Sequence, residues 1–164
     1  MSTEEFLVLL GISPDIFTIL IRLGLSLILG ATIGFERELA GRAAGFRTHI
    51  LLSLAATLAM MLSMYGFNDG DPARLATATI TGVGFIGAGA IMRDGGNIKG
   101  ITTAATLWIT TIIGLSVGNG YYVPAILTTL LALITLTALR KIERAIFPQR
   151  NNNSTKDENS NHQE

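Results

Sequence analysis

The chain is 164 residues long, 49% hydrophobic and only 15% charged, with 18 glycines and a mean hydropathy of +0.48, a balance that places it in the membrane class and excludes an ordinary soluble core. Twelve basic and twelve acidic side chains cancel to a formal net charge of zero, so bulk nucleic-acid binding is not indicated and the information lies in where the charges fall. The absence of cysteine removes disulfides, thiolate zinc sites and thiol catalysis.

Residues 1–15 carry Glu4 and Glu5 where a signal peptide would have a basic region, and no small-residue cleavage site follows, so an extracytoplasmic segment that is not removed is expected. Ile16 to Phe35 supplies the roughly 20 apolar residues a bilayer core requires, with Arg22 as its only charge. Arg22 lies about 9 Å along that helix and either snorkels outward or forms a buried pair with Asp69 or Asp71. A second span, Phe46 to Tyr65, has Arg47 and His49 at its entry. A third, Arg74 to Met92, is bracketed by Asp71 and Pro72 before it and by Arg93, Asp94, Gly95 and Gly96 after it, which are start and stop signals. Gly100 to Val117 forms a fourth and ends at the turn pair Asn119, Gly120; Tyr121 and Tyr122 then open a fifth, Val123 to Leu139. The uncharged gap between the last two also admits a re-entrant hairpin. Residues 16–140 thus form the transmembrane domain. Residues 141–164 make a cytoplasmic tail, largely disordered because Asn151 to Glu164 is almost wholly polar; His162 within it reads as solvated.

Charge sidedness orders these spans. Ten of the twelve Lys and Arg residues, namely Arg37, Arg42, Arg47, Arg93, Lys99, Arg140, Lys141, Arg144, Arg150 and Lys156, fall in even-numbered gaps or the tail, while the opposite gaps hold mainly acids and Arg74. The positive-inside bias then predicts an all-α integral membrane bundle of five helices, N-terminus outside and C-terminus inside.

Small residues recur at spacings that let backbones approach in lipid: Gly30 and Gly34, the dense run Gly82, Gly84, Gly87 and Gly89, and Gly114 with Gly118. Packing within the chain is the reading adopted; the same spacing would also serve a homo-oligomer. G-V-G-F-I-G in the third span matches a dinucleotide fingerprint on paper, but it follows no strand and lies in an apolar helix. Lys99, Thr103, Thr106, Thr110 and Gly114 share one sector of the fourth span. Such a strip lines a polar path or, in the simpler reading, bonds back to carbonyls one turn earlier and packs.

One membrane face gathers a polar rim. Gly34 to His49 reads G-F-E-R-E-L-A-G-R-A-A-G-F-R-T-H. Glu36 there is placed to pair with Arg47 or Arg93 from another span. Asp94 and Glu36 are the candidate oxygen donors for a hydrated divalent ion such as Mg²⁺, with a structural pairing of Asp94 and Arg93 as the alternative. For Arg37, Arg47 and Arg93 the alternative to a binding role is phosphate contact that holds topology. His49 is either a group that titrates near neutrality or a hydrogen-bonded interfacial residue. With no serine and histidine pair at catalytic spacing, no H-E-x-x-H and no phosphate loop, the chain reads as a non-enzyme.

Taken in order from about residue 18 to 140, G-F-E-R-E, A-G-F-R-T-H, D-P-A-R, G-V-G-F-I-G-A-G-A-I, R-D-G-G and G-I-T-T-A-A-T-L-W resemble the MgtC/SapB family of bacterial inner-membrane proteins. The resemblance implies a lipid-embedded protein of magnesium limitation, acid stress or intracellular survival. It also implies a regulator acting on membrane-protein partners, among them the membrane sector of the ATP synthase, with a magnesium transporter or channel as the alternative. The short segment after the last span is similar to a compact SapB/YhiD type without the soluble domain of the MgtC type. By motif, the resemblance carries function to Glu36, Arg37 and Glu38, to Arg47, Thr48 and His49, to Arg93 and Asp94, and to Thr102 and Thr103. No cofactor is implied beyond the candidate Mg²⁺.

Overall fold

The computed structural model describes residues 16–66, 71–94, 97–140, 142 and 146. The N-terminal segment 1–15, Asp69, Gly95, Gly96 and the tail from 147 with His162 therefore lie outside the described residues. The chain divides into two units, Met1–Leu133 and Ile134–Glu164.

Helix α1 (Ile16–Leu39) buries Arg22, Ser26, Leu29, Gly30, Ile33, Gly34 and Arg37, a spacing of fours and threes that forms one stripe of a 3.6-residue helix. It stops at Gly41, whose φ is +64°. There the Arg42 N–H donates to Arg37 O at 3.0 Å and the Gly41 N–H to Glu38 O at 2.9 Å, the Schellman ending that a left-handed glycine permits.

Helix α2 (Phe46–Tyr65) buries His49, Ser53, Ala56, Thr57, Met60, Met61 and Ser63. Its first residue is capped from α1: the Phe46 N–H donates to Glu38 Oε2 at 3.1 Å. Helix α3 (Pro72–Ala90) begins as its sequence signals foretell, with Asp71 Oδ1 accepting from the Ala73 N–H at 2.9 Å and proline in the first turn.

Between α3 and the next helix the expected glycine turn is a small antiparallel hairpin, β1 (Met92–Asp94) with β2 (Asn97–Lys99), in the register Met92 to Lys99, Arg93 to Ile98 and Asp94 to Asn97. Strands this short leave no period-2 pattern to read. Gly100, at φ +92°, leads out of the hairpin so close to the end of α3 that a Cβ would lie 2.0 Å from Ala90 O.

Helix α4 (Ile101–Gly118) ends as α1 does, with Gly120 at φ +87° and the Tyr121 N–H donating to Ser116 O at 2.9 Å. Helix α5 (Tyr122–Ile134) buries Ala125, Thr129 and Ala132. In the second unit the described backbone includes a π-helical stretch, Thr135–Leu139.

Within the first unit α2 packs against α1, α3 and α4, and α4 also packs against α1 and α3. Polarity is inverted relative to a soluble protein. Ser26, His49, Ser53, Thr57 and Thr110 are wholly buried, whereas Phe85 is 79% and Leu51 67% exposed, the distribution expected where the surroundings are lipid. Among the described residues, four helices are long and apolar enough to cross a bilayer: α1, α2, α4 and the run Tyr122–Leu139. The sequence led us to expect five. Helix α3 is 19 residues long, but Thr77, Thr79, Thr81 and its four glycines dilute its apolar content.

Candidate functional site

The first turn and the hairpin lie together at one end of the helices. Gly41, Arg42 and Ala43 share a cleft of about 900 Å³ with Met92, Ile98, Lys99 and the start of α4, including Thr102 and Thr103. Thr102 is exposed and Thr103 buried. A second recess of about 720 Å³ is lined by Glu38, Arg47 and Thr48 together with Phe35 and Phe46. Arg93 and Asp94 are carried on β1 at this same end. The first turn, the hairpin and the start of α4 are thus brought together at this end.

Beneath it sits a charged layer that the helix stripes bury. Arg37 is 2% exposed and forms an ion pair with Glu36, its chain neighbour. The partners anticipated for Glu36 were Arg47 or Arg93. Arg47 instead projects outward as an exposed residue, while Arg37 continues the inward stripe of α1. Both guanidinium contacts fall on Glu36 Oε2, so a cation approaching this carboxylate would do so beside a buried positive charge. The side chain of Asp94, the other donor expected from sequence, lies outside what the structure describes.

His49 is fully buried. Its Nδ1 lies 2.9 Å from Gly45 O, and because a carbonyl only accepts, Nδ1 carries the proton. Nε2 is then a bare acceptor, buried and without a hydrogen-bond partner. Glu36 and Arg37 are both within electrostatic reach of the ring.

Deeper along α1, α2 and α4 runs a hydroxyl network that the sequence reading did not single out. Ser26 Oγ and Ser53 Oγ are 2.8 Å apart, Thr57 Oγ1 lies 2.7 Å from Ser26 Oγ and 2.9 Å from Gly114 O, and Ser53 Oγ lies 3.1 Å from Ser26 O. The signal was available: His49, Ser53 and Thr57 recur every four residues and so share one helix face. The threonine strip of α4 takes its simpler form, with Thr106 Oγ1 donating to Thr103 O and Thr110 Oγ1 to Thr106 O, both at 2.8 Å.

Glycines set the spacing of this interior. A Cβ on Gly30 would lie 2.8 Å from His49 O, one on Gly34 2.9 Å from Phe46 Cα, one on Gly114 2.5 Å from Ser53 O and one on Gly118 2.6 Å from Thr57 O. In α3 the expectation of dense packing is not met. Gly87 is in ordinary contact with Ala104, and added Cβ atoms at Gly82, Gly84 and Gly89 would meet nothing within 4 Å. These three lie on the exposed side of α3, where helical spacing alone could not distinguish an inner from an outer face.

At the opposite end, Arg22, for which one expected acid partner, Asp69, lies outside the described residues, does not snorkel outward. It is 8% exposed, donates from Nη1 to Gly118 O at 2.6 Å and places its guanidinium carbon 5.5 Å from the centre of the Tyr65 ring. Asp71 is exposed and occupied in capping α3.

Helices that turn lipid-compatible side chains outward and hold hydroxyls, a histidine and two arginines inward define a multi-pass α-helical membrane protein. The MgtC family model matches residues 23–145, and the chain belongs to that family. It is 41% identical over 131 residues to YhiD of Escherichia coli (strain K12), whose name marks it as a candidate magnesium transporter, covering 75% of this chain and 61% of YhiD. It is 38% identical over 130 residues to protein MgtC of Salmonella typhimurium (strain 14028s), covering 79% of this chain and 56% of the relative. Against the uncharacterised protein slr0014 of Synechocystis the identity is 35% over 130 residues, with the same two coverages, 79% and 56%. The chain therefore spans about three-fifths of the length of these curated relatives, and YhiD extends beyond the matched region as MgtC does. No solved structure matches. The protein is a multi-pass protein of the bacterial inner membrane.

Proposed function

We propose that this protein is a non-enzymatic regulator of magnesium-linked stress adaptation that acts by docking another membrane protein, and that it crosses the bilayer five times with its N-terminus outside. The observation that carries the reading is the closed interior of α1, α2 and α4. Glycines bring the backbones into contact there, and hydroxyls bond to one another and to carbonyls. Magnesium gives up its waters reluctantly and is usually held by carboxylates, which suits neither a contact of this kind nor a wall of back-bonded threonines.

Five crossings are favoured by the joining of the first turn and the hairpin at one end, since α3 must then traverse the full thickness. Its 19 residues rise about 28 Å, close to a hydrocarbon core of about 30 Å. Its hydroxyls are satisfied within the helix, Thr77 Oγ1 donating to Ala73 O and Thr79 Oγ1 to Leu75 O at 2.7 Å, which lowers the cost of placing them in lipid.

The test is photo-crosslinking in living cells from residues substituted at Arg42 and Thr102, both exposed beside the rim cleft. We expect a discrete adduct with another membrane protein, and the ATP synthase membrane sector implied by the resemblance is the first to be sought. Adducts with lipid alone, together with Mg²⁺ uptake by sealed vesicles above that of empty ones, would overturn the regulator in favour of a transporter, as the name of YhiD suggests for that relative.

A further inference from the structure

We propose that Glu36, Arg37 and His49 form a proton-operated latch between the adjoining ends of α1 and α2. When His49 gains a proton at Nε2, the Glu36 carboxylate passes from Arg37 to the new N–H, and the two helix ends part.

The argument begins with the ring. His49 N–H and Nδ1–H both point at Gly45 O, at 3.2 and 2.9 Å, which fixes the tautomer and leaves the lone pair of Nε2 inside the protein with no donor. His49 is wholly buried, and the first helix packs closely against its Cβ, where a Cβ on Gly34 would lie only 3.0 Å away. A proton delivered from bulk water to Nε2 creates a buried cation and a buried donor, both of which require an acceptor.

The charged groups that face His49 are few. From α1 they are Glu36 and Arg37. Helix α4 has no charged residue, and α3 has only Arg74, in its first turn at the far end. Of the groups near the start of α2, Arg47 and Arg42 are exposed and Glu38 is held at the Phe46 N–H. From the hairpin, Lys99 is exposed; among the described side chains, Glu36 is the carboxylate within electrostatic reach of the imidazolium, and it is paired with Arg37.

Transfer of that carboxylate leaves Arg37, 2% exposed, as an uncompensated buried cation. Such a charge is costly in a low-dielectric interior. Its guanidinium regains water and lipid phosphate only if the end of α1 moves away from α2, so one proton is converted into an opening of the rim.

The chain has no cysteine, so spin labels on Leu39→Cys and Leu51→Cys, both exposed positions, report the α1 to α2 separation directly in lipid nanodiscs. Pulsed dipolar spectra at about pH 8 and about pH 5 are expected to show a second, longer distance population that grows on the acid side and reverses. His49→Gln and Glu36→Gln, each in the same background, should abolish it. A distribution that does not change with pH overturns the latch, and so does an unchanged acid response in His49→Gln. A chain with His162→Gln retains one imidazole, so its ¹⁵N resonances give a second readout if His49→Gln fails to fold. That ring must titrate in step with the distance change; opening while the ring stays neutral also overturns the proposal. The result is independent of which partner, if any, the rim docks.

Discussion

The guanidinium of Arg22 donates to the carbonyl oxygen of Gly118 across 2.6 Å, so a residue of the first helix completes the buried C-terminal hydrogen bonding of the fourth. Unpaired carbonyls at a helix end attract cations, and the Tyr65 ring 5.5 Å away adds a face for the same cation. Arg22→Ala should lower stability by about 2 kcal/mol, the scale of a charge-assisted hydrogen bond. Arg22→Lys should recover only part of that, because an ammonium lacks the planar fork and stacks poorly. Thermal unfolding in detergent checks both, and a wild-type midpoint for Arg22→Lys would contradict the geometry.

Glycine to alanine substitutions should divide by helix. At Gly114 and Gly118 the new methyl meets backbone oxygens at 2.5 and 2.6 Å, and overpacking of this kind costs about 1–3 kcal/mol. At Gly82 and Gly84 it meets open space, so those variants should match or slightly exceed the parent in the same melting assay. Equal losses in both groups would mean that α3 is packed against something in solution.

The hydroxyl network predicts coupling between helices. Thr57→Val and Ser26→Ala should each destabilise, and the double variant should lose less than the sum, with a coupling of about 0.6–1.7 kcal/mol as seen for buried polar contacts in lipid. Additive losses would show that Thr57 Oγ1 and Ser26 Oγ, 2.7 Å apart, do not share a bond.

Glu38 and Gly45 should fail together. The carboxylate reaches the first N–H of α2 only because Gly45 has no side chain, as a Cβ there would lie 1.8 Å from Glu38 Oε2. Glu38→Ala is expected to cost about 1 kcal/mol, the usual loss of a cap. Gly45→Ala should cost at least as much and should mask any further effect of Glu38→Ala, which hydrogen exchange over the first turn of α2 will report.

Much of this was legible in the residues because the signals are local. Asp71 with Pro72, and Gly120 after Asn119, mark helix ends through their own backbone chemistry, and apolar length marks most of the spans. The faces were harder. Gly30, Gly114 and Gly84 look alike in sequence, yet the first two abut α2 and the third does not, a distinction made by the position of neighbours. The rim residues Glu36, Arg37 and His49 were recognised singly, but their pairing depends on which way each helix is turned. Arg22 escaped because its partner is a main-chain carbonyl nearly a hundred positions away, and carbonyls leave no trace in composition.

The hydroxyl contacts link α1, α2 and α4 while passing over α3, which lies between the last two in chain order. Completing this seam therefore requires the fourth helix, because the Gly114 carbonyl that Thr57 Oγ1 reaches comes last of these partners along the chain.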